Sequence, residues 1–204
     1  MIKSRLSLLF LGAFLSLAGC STTHYESPKV DLNQFSQGNK AIVVSKGIFK
    51  AHHWIRGEFD TGLMTVWRKL EDIPAGQHPV RYRFNKPGFA GSSKDMEAYM
   101  IDPGIYTLEE IKGDDGQWRY HGSYGRGEGA SDFRVFSVEP GDVVYIGTIF
   151  VPRERRAPKI ADHFSKAQAY MGKSYPSLSQ RLKKSLANTS CLTPRPRKRP
   201  RAFS

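Results

Sequence analysis

Short apolar runs separated by turn residues fill the middle of the chain, from residue 40 to residue 151. The runs are rich in Val, Ile, Tyr, Phe and Trp, the residue types favoured in β-strands. Val80, Tyr82 and Phe84 alternate with arginines, which is typical of a half-buried strand. Nine runs predict strands: residues 41–49, 52–59, 63–70, 78–84, 97–101, 105–111, 117–121, 133–138 and 142–151. The last run is almost continuously apolar and predicts a central strand.

Proline and glycine mark the connections between these runs. Residues 102–104 (DPG) and 139–142 (EPGD) are two such signals, in which proline sets φ and glycine permits a positive φ. No helical pattern of 10–15 residues alternates with the strands, which argues against a parallel α/β sheet. Many short strands with turns of this kind predict a small antiparallel β-sandwich.

The apolar period changes after Pro158. Ile160, Phe164, Ala167 and Met171 follow each other at spacings of four, three and four, which predicts one face of a helix. Pro176 then suits the first position of a second helix, with its apolar face given by Leu178, Leu182 and Leu186. The predicted fold is therefore mainly β, a small antiparallel β-sandwich followed by two short C-terminal helices that pack on it and by a disordered tail.

The N-terminus has the pattern of a cleaved leader. Lys3 and Arg5 precede about ten mostly apolar residues at 6–15. A membrane-spanning helix needs about 20 apolar residues, so the short run predicts a signal peptide. Residues 17–20, Leu-Ala-Gly-Cys, follow at once.

This tetrapeptide resembles the lipobox of bacterial lipoproteins. The resemblance implies cleavage between Gly19 and Cys20 and attachment of diacylglycerol to the sulfur of Cys20, so that membrane lipid is a partner of the chain. Ser21 resembles the address of lipoproteins sent to the outer membrane, facing the periplasm of a Gram-negative host. The expected localisation is therefore the cell envelope.

Five segments are predicted along the chain. They are a signal peptide at 1–19, a lipidated N-terminus and tether at 20–39, the β-sandwich at 40–151, a helical appendage at 158–187 and a basic disordered tail at 188–204. Two runs, IDPGIYTLEEI and VEPGDVVYIGTI, share a Pro-Gly turn that leads into a strand. They resemble transthyretin-like or Ig-like β-sandwich modules of envelope lipoproteins, and this resemblance implies a fold without catalytic residues.

Positive charge is concentrated in the last quarter of the chain. The whole sequence carries +12, and residues 151–204 hold 14 Lys and Arg against two acidic residues. The tail interleaves prolines with five basic residues: Arg195, Arg197, Lys198, Arg199 and Arg201. Such a segment can bind anionic envelope lipids or polymers, or it can serve solubility alone. Nucleic acid is not an expected partner at the envelope.

No motif for catalysis or for metal binding occurs in the sequence. The six histidines form neither H-x-H nor H-E-x-x-H, and neither G-x-S-x-G nor C-x-x-C is present. We therefore expect no catalytic residue, no metal and no cofactor, and interpret the chain as a lipid-anchored, non-catalytic binding or structural module. Two alternatives are an envelope hydrolase assembled from loop residues and a tether that acts through the basic tail.

Two aromatic residues are candidates for a ligand edge. Trp118 and Tyr120 flank a glycine-rich segment at 121–131, which predicts a hairpin loop. Most aromatic residues in strands belong to the core, so this hypothesis competes with a structural role. Cys191 is left without a predicted disulfide partner, and the sequence identifies neither a protein partner nor an oligomeric state.

Overall fold

The protein is a two-sheet β-sandwich with three short helices. A computed structural model of the chain describes residues 26, 29–53, 57–70, 78–85, 95–113, 119–121, 134–151 and 158–189. The helices are α1 (Leu32–Ser36), α2 (Phe164–Ser174) and α3 (Pro176–Ser179). The strands are β1 (Ala41–His53), β2 (Gly57–Gly62), β3 (Met64–Lys69), β4 (Arg81–Phe84), β5 (Glu97–Ile101), β6 (Gly104–Lys112), β7 (Arg119–His121), β8 (Arg134–Val138), β9 (Val143–Val151), β10 (Lys159–Ala161), β11 (Leu182–Lys184) and β12 (Asn188–Thr189).

Among the described residues, each sheet has six strands. Sheet 1 has the order β10-β9-β1-β2, with β11 also paired to β9 and β5 also paired to β1. Sheet 2 has the order β12-β8-β6-β3-β4, with β7 also paired to β6. The predicted mainly β sandwich with C-terminal helices is confirmed, each of the nine predicted strand runs contains strand residues, and β9 is central in sheet 1.

Sheet 1 is mixed rather than purely antiparallel. β9 pairs in parallel with β1 and also with β11. Turn residues indicate the direction of strands that follow each other in the chain, but β1 and β9 are about a hundred residues apart. No local pattern therefore predicts their relative direction.

The inner core lies between the two sheets and is rich in aromatic rings. Trp67 is fully buried, and its ring packs edge-on against Phe136 with centroids 4.8 Å apart. Phe84 of sheet 2 stacks on Tyr99 of sheet 1 at 4.4 Å. These contacts join the sheets across the layer that alternating strand residues provide.

A second core covers the outer face of sheet 1. Ile42, Val44 and Tyr145 point away from the inner core and are buried under the helices. From the helices, Phe35 of α1, Ala167 and Met171 of α2, and Leu178 of α3 belong to the same cluster. Because β1 and β9 bury both faces here, their sequences are almost continuously apolar. The prediction that the C-terminal segment packs on the domain is confirmed.

Gly47 of β1 lies against Leu63, the residue at which the chain passes from sheet 1 to sheet 2. β2 pairs with β1 in sheet 1, and after Leu63 the chain continues as β3 in sheet 2. A Cβ atom at Gly47 would overlap the backbone carbonyl oxygen of Leu63. The close approach of two backbones explains why glycine occupies this strand interior.

The second predicted C-terminal helix is wrong beyond its first turn. α3 ends at Ser179, and Leu182 belongs to β11, where it lies opposite Val143 of β9. This pairing satisfies backbone groups on the edge of β9 that β10 leaves uncovered, which a helix could not do. Ile160 also lies in a strand, β10, rather than in the first helix.

Two predicted boundaries also change. Within the predicted tether at 20–39, Asp31 caps α1 and Phe35 is 4% exposed. The predicted tail at 188–204 begins instead with β12, which pairs with β8. Residues 1–25 and 190–204 lie outside the described residues.

Candidate functional site

The start of β1, the turn at 102–104 and the turn at 139–142 lie at the same end of the sandwich. We call this end the turn end. β9 is parallel to β1 and β5 is antiparallel to it, so β1 and β9 begin where β5 finishes. β6 follows β5 directly, and both β3 and β8 are antiparallel to β6. The turn end therefore also holds the last residues of β3 and β8 and the first residue of β4. We call the opposite end the far end.

The N-terminal segment joins the sandwich along the outer edge of β4. The backbone N–H of Glu26 donates to the carbonyl oxygen of Arg81 at 3.1 Å. The backbone N–H of Arg83 donates to the carbonyl oxygen of Glu26 at 2.8 Å. This bridge is parallel to β4, and β4 starts at the turn end. Glu26 therefore runs in the same direction as β4, and it lies six positions after Cys20 in the sequence.

The C-terminal segment leaves the sandwich in the other direction. β12 is antiparallel to β8, with Asn188 opposite Val135 and Thr189 opposite Arg134. Because β8 runs from the far end to the turn end, β12 runs toward the far end. Glu26 and β12 therefore run along the sandwich in opposite directions. The nine-residue strand β9 spans about 25–30 Å from one end to the other.

A cluster of hydrogen bonds around Asp102 closes the turn end. The Lys40 ammonium lies 2.6 Å from Asp102 Oδ1, and the Tyr82 hydroxyl donates to Oδ2 at 2.9 Å. The Tyr106 hydroxyl donates to the backbone carbonyl of Asp102 at 2.6 Å. Lys40 precedes sheet 1 and both tyrosines belong to sheet 2, so this turn links the two sheets.

The electrostatics of this cluster favour a charged carboxylate and neutral phenols. Partial burial acts to raise the pKa of Asp102, but hydrogen bonds from Lys40 and Tyr82 outweigh it, and the pKa lies below its usual value. Burial is the main cause that raises the pKa of Tyr82. A tyrosine that keeps its proton donates a hydrogen bond and is not an activated nucleophile.

Exposed apolar side chains accompany this closed cluster. Val80 is 37% exposed and Ile105 is 47% exposed. The strand ends that carry them are bridged by backbone hydrogen bonds, from Lys69 to the carbonyl of Val80 and from Leu70 to the carbonyl of Ile105. Two large apolar side chains therefore lie at the turn end of sheet 2, beside the N-terminal segment.

A second polar group is buried beneath α2. The Tyr145 hydroxyl lies 3.2 Å from Thr148 Oγ1 and donates to the carbonyl oxygen of Ala161 at 3.2 Å. The backbone N–H of His163 donates to this hydroxyl at 2.9 Å, and His163 Nδ1 lies 3.1 Å from Thr148 Oγ1. Burial is the main cause that raises the pKa of Tyr145, so this group also holds a protonated phenol.

A third polar group joins β4, β5 and α2. The Tyr99 hydroxyl donates to the carboxylate of Glu97 and accepts from the backbone N–H of Asn85. Burial is the main cause that raises the pKa of Tyr99, and it is also the main cause that raises the pKa of Tyr170 to about 12. The chemistry available to all three groups is that of structural hydrogen bonds.

Most of the predicted site residues fall outside the described part of the chain. This applies to Gly19, Cys20, Trp118 and the five basic residues of the tail: Arg195, Arg197, Lys198, Arg199 and Arg201. Tyr120 lies in β7, where its register partner is Ile111 of β6. The proposed ligand edge of Trp118 and Tyr120 therefore stays a prediction.

The residues that the structure does bring together were not predicted. Tyr82 and Asp102 are 20 positions apart, and Tyr145 and His163 are 18 positions apart. Only the Asp-Pro-Gly turn signal pointed to the neighbourhood of Asp102.

The described residues contain neither a metal-binding cluster nor a membrane-spanning helix. No group of three or more His, Cys, Asp or Glu side chains in this part of the chain is placed to hold a metal ion. None of the helices within the described ranges has the length and apolar content needed to cross a membrane.

Comparison with known proteins adds no relative. No family model matches the chain, no curated protein matches it, and no solved structure matches it.

Proposed function

We propose that this chain is a lipoprotein of the bacterial cell envelope, anchored through Cys20, whose β-sandwich acts as a non-catalytic binding or structural module. The observation that carries the proposal is the short distance in sequence between the lipobox-like residues 17–20 and Glu26, the first residue hydrogen-bonded to the sandwich. A lipidated cysteine at this position holds the domain close to a membrane. Ser21 favours the outer membrane of a Gram-negative host, facing the periplasm.

The polar groups of the sandwich support a module without catalysis. Asp102 and Tyr145 each lie in a hydrogen-bonded group that ties together parts of the fold, and Tyr82 and Tyr99 serve such groups with their protons in place. A catalytic acid, base or nucleophile needs a pKa matched to its task. Raised tyrosine pKa values match a structural role better.

The proposal is tested by the mass and the location of the mature protein. Wild-type protein expressed in a bacterium should begin at Cys20, carry the mass of added acyl chains and remain with the membrane fraction after alkaline washing. Cys20→Ala should abolish the acyl mass and the membrane retention. Cys191→Ala is the matched control because it removes the other cysteine, and it should leave both unchanged. A wild-type chain that keeps residues 1–19, or lacks acyl mass, would contradict the proposal.

A second function, tethering to an anionic surface, is favoured by the direction of the C-terminus. β12 runs toward the far end, whereas Glu26 pairs with β4, which starts at the turn end. A membrane anchor and a basic tail at opposite ends would let the domain connect two surfaces. The tail would then bind anionic polymers or lipids through released counterions.

Vesicle clustering tests this tether. Lipidated protein in neutral vesicles should cluster added anionic vesicles, and added salt should reverse the clustering. Deletion of 190–204 should abolish clustering without loss of fold, since it spares β12. Replacing the five basic tail residues with glutamine is the length-matched control and should abolish clustering equally. Clustering that survives both changes would refute a role for the tail.

A further inference from the structure

Positive charge in the described chain is concentrated on one side of the sandwich. Residues 29–36 and 158–187 include the three helices that cover the outer face of sheet 1, and we call these residues the basic layer. Among the described residues, the basic layer holds seven basic and two acidic side chains, whereas the remaining described residues hold ten of each. The net positive charge of the described domain therefore belongs to the basic layer.

Part of this charge is already engaged within the fold. Lys184 lies 3.0 Å from Asp162 Oδ2, and Lys183 lies 3.5 Å from Asp142 Oδ1. Arg181 donates a hydrogen bond to a backbone carbonyl oxygen at 2.7 Å. These three basic groups have less charge to offer a partner than groups without such contacts.

Three other lysines of the basic layer are available to a partner. Lys159, Lys166 and Lys173 are exposed, and no ion pair within the described ranges involves them. Ile160 packs against the inner core, so the side chain of its neighbour Lys159 points to the outer face of sheet 1. Lys166 and Lys173 are seven positions apart on α2, which places them on one helix face about 10 Å apart.

The solvent face of α2 allows a flat surface to come close to these lysines. Ala167 and Met171 point into the core beneath the helix. On the opposite face, the exposed residues beside the lysines are small: Ser165, Ala169 and Gly172. None of the exposed large hydrophobic side chains among the described residues belongs to α2. The face therefore attracts a partner through charge rather than through apolar contact.

The spacing of the lysines indicates the kind of partner. A single small anion requires donors that converge on one point, whereas ammonium groups about 10 Å apart on a convex helix surface do not converge. Lysine acts as a point charge and lacks the planar fork with which arginine recognises one carboxylate or phosphate. A leaflet that contains anionic lipids instead offers negative charge over a whole plane. Separated lysines on a smooth helix face therefore fit an anionic lipid surface.

We propose that the basic layer binds the surface of an anionic lipid bilayer, with α2 lying along the headgroups and Lys166 and Lys173 in contact with them. The contact uses neither the tail at 190–204 nor a lipid on Cys20, so it goes beyond the proposed function. An anchor at Cys20 strengthens it only by raising the local concentration of the domain at the membrane. Because the contact is electrostatic, salt weakens it.

Quenching by labelled lipids tests this contact in the full-length protein. All variants carry glutamine at the five basic tail residues, so that the tail contributes no charge, and serine at position 191. A fluorophore is attached to Ser165→Cys, which lies beside Lys166, or to Ser137→Cys, which is exposed on the outer face of sheet 2. The proteins are reconstituted into vesicles of phosphatidylcholine with or without phosphatidylglycerol, and both kinds contain lipids with a nitroxide on the headgroup.

We expect several-fold stronger quenching at position 165 than at position 137 in the anionic vesicles, and loss of this difference when salt is added. Lys166→Gln combined with Lys173→Gln should reduce quenching at position 165 to its level in neutral vesicles. Lys166→Arg combined with Lys173→Arg is the matched control and should preserve the quenching. Equal quenching at positions 165 and 137, or quenching at 165 that survives the glutamine changes, would overturn the proposal.

Flotation of the same proteins separates the failure of this inference from the failure of the anchor. Protein that does not float with neutral vesicles contradicts the anchor alone. The inference then still predicts salt-sensitive flotation with anionic vesicles that the two glutamine changes abolish, and its absence would overturn the inference.

An acidic polypeptide is the other candidate occupant of the basic layer. Polyglutamate is the probe for it, in the same tail-neutralised protein. Binding to polyglutamate that the two glutamine changes abolish, together with no preferential quenching at position 165 in anionic vesicles, would assign the surface to an acidic protein and overturn the lipid contact.

Discussion

The two sheets of the sandwich share an inner core but carry different outer faces. Sheet 1 is apolar on both sides, because Ile42, Val44 and Tyr145 pack against the helices. Sheet 2 carries charged side chains on its outer face, among them Arg81 with its partner Glu109. The difference shows that a strand with an almost continuously apolar sequence belongs to a sheet covered on both faces. A strand in which apolar and polar residues alternate has one face exposed to solvent. We expect these layers to contribute unequally to stability.

The largest loss of stability should come from the inner core. Trp67→Ala removes a fully buried ring that packs on Phe136 and whose Nε1 donates to Thr65 Oγ1 at 3.0 Å. We expect the free energy of unfolding to fall by about 3–5 kcal/mol, measured by urea denaturation. Trp67→Phe, which keeps an aromatic ring, should cost less. Equal losses for both variants would show that the hydrogen bond, rather than ring packing, dominates.

The helix layer on sheet 1 should contribute less. Met171 of α2 is fully buried, and Met171→Ala should lower the free energy of unfolding by about 2–4 kcal/mol. The neighbouring Gly172 has open space around its Cα. Gly172→Ala should therefore stabilise the helix by about 0.5–1 kcal/mol. If Met171→Ala lowered the free energy of unfolding more than Trp67→Ala does, the helix layer would contribute more to stability than the inner core, contrary to this prediction.

Asp102 connects the two sheets, and its removal should have a smaller effect again. Asp102→Ala leaves Lys40 and the Tyr82 hydroxyl without this partner, which should cost about 1–3 kcal/mol. Denaturation at neutral pH measures the loss. Lys184→Ala breaks an exposed pair with Asp162 but keeps the hydrogen bond from the backbone N–H of Phe164 to Asp162, so it is the matched control and should cost less. A larger loss for the control would contradict a special role for the Asp102 cluster.

The same carboxylate should make the link between the sheets sensitive to acid. Folding lowers the pKa of Asp102, so the unfolded state binds its proton more readily than the folded state. The charged carboxylate of Asp102 therefore stabilises the fold fully above the pKa of the unfolded state, about 4. This stabilisation is lost as the pH falls through the lower pKa of the folded state. Asp102→Asn should therefore flatten part of the fall in stability below about pH 4. An unchanged acid dependence would contradict the pairing.

The charged face of sheet 2 should give the smallest effect. Arg81 Nε lies 2.6 Å from Glu109 Oε2, and a second hydrogen bond of 3.1 Å makes the pair bidentate. A double-mutant cycle of Arg81→Ala and Glu109→Ala should give a coupling energy of about 1 kcal/mol, since part-exposed ion pairs contribute little. If the two single variants lowered the free energy of unfolding by amounts that add up to the loss in the double variant, the pair of Arg81 and Glu109 would contribute no coupling energy.

Local patterns account for most of the elements that were predicted. The alternating residues of β4 and the continuous apolar residues of β9 each carry their own signature. α1 was missed because it has only five residues and its sole buried side chain is Phe35. β11 was mistaken for a helix because Leu178, Leu182 and Leu186 repeat every four residues, although the backbone edge of β9 decides their structure.

The site depends on contacts that leave no local trace in the sequence. The parallel pairing of β1 with β9 determines which strand ends meet at the turn end. Val80 and Ile105 lie on the two strands that flank β3, and no local sequence pattern indicates that arrangement. Glu26 pairs in parallel with β4 and β12 pairs antiparallel with β8, and neither pairing has a local sequence signature. Such long-range relations are topological and cannot be read from periodicity.

The central claim is that a lipid on Cys20 holds the sandwich close to a membrane. Neutron reflectometry of the full-length lipidated protein on a supported bilayer measures the gap between headgroups and protein. The account predicts a gap no wider than about 20 Å between the headgroups and the protein density. A water layer wider than about 20 Å would contradict it, because the six positions from Cys20 to Glu26 cannot span that distance.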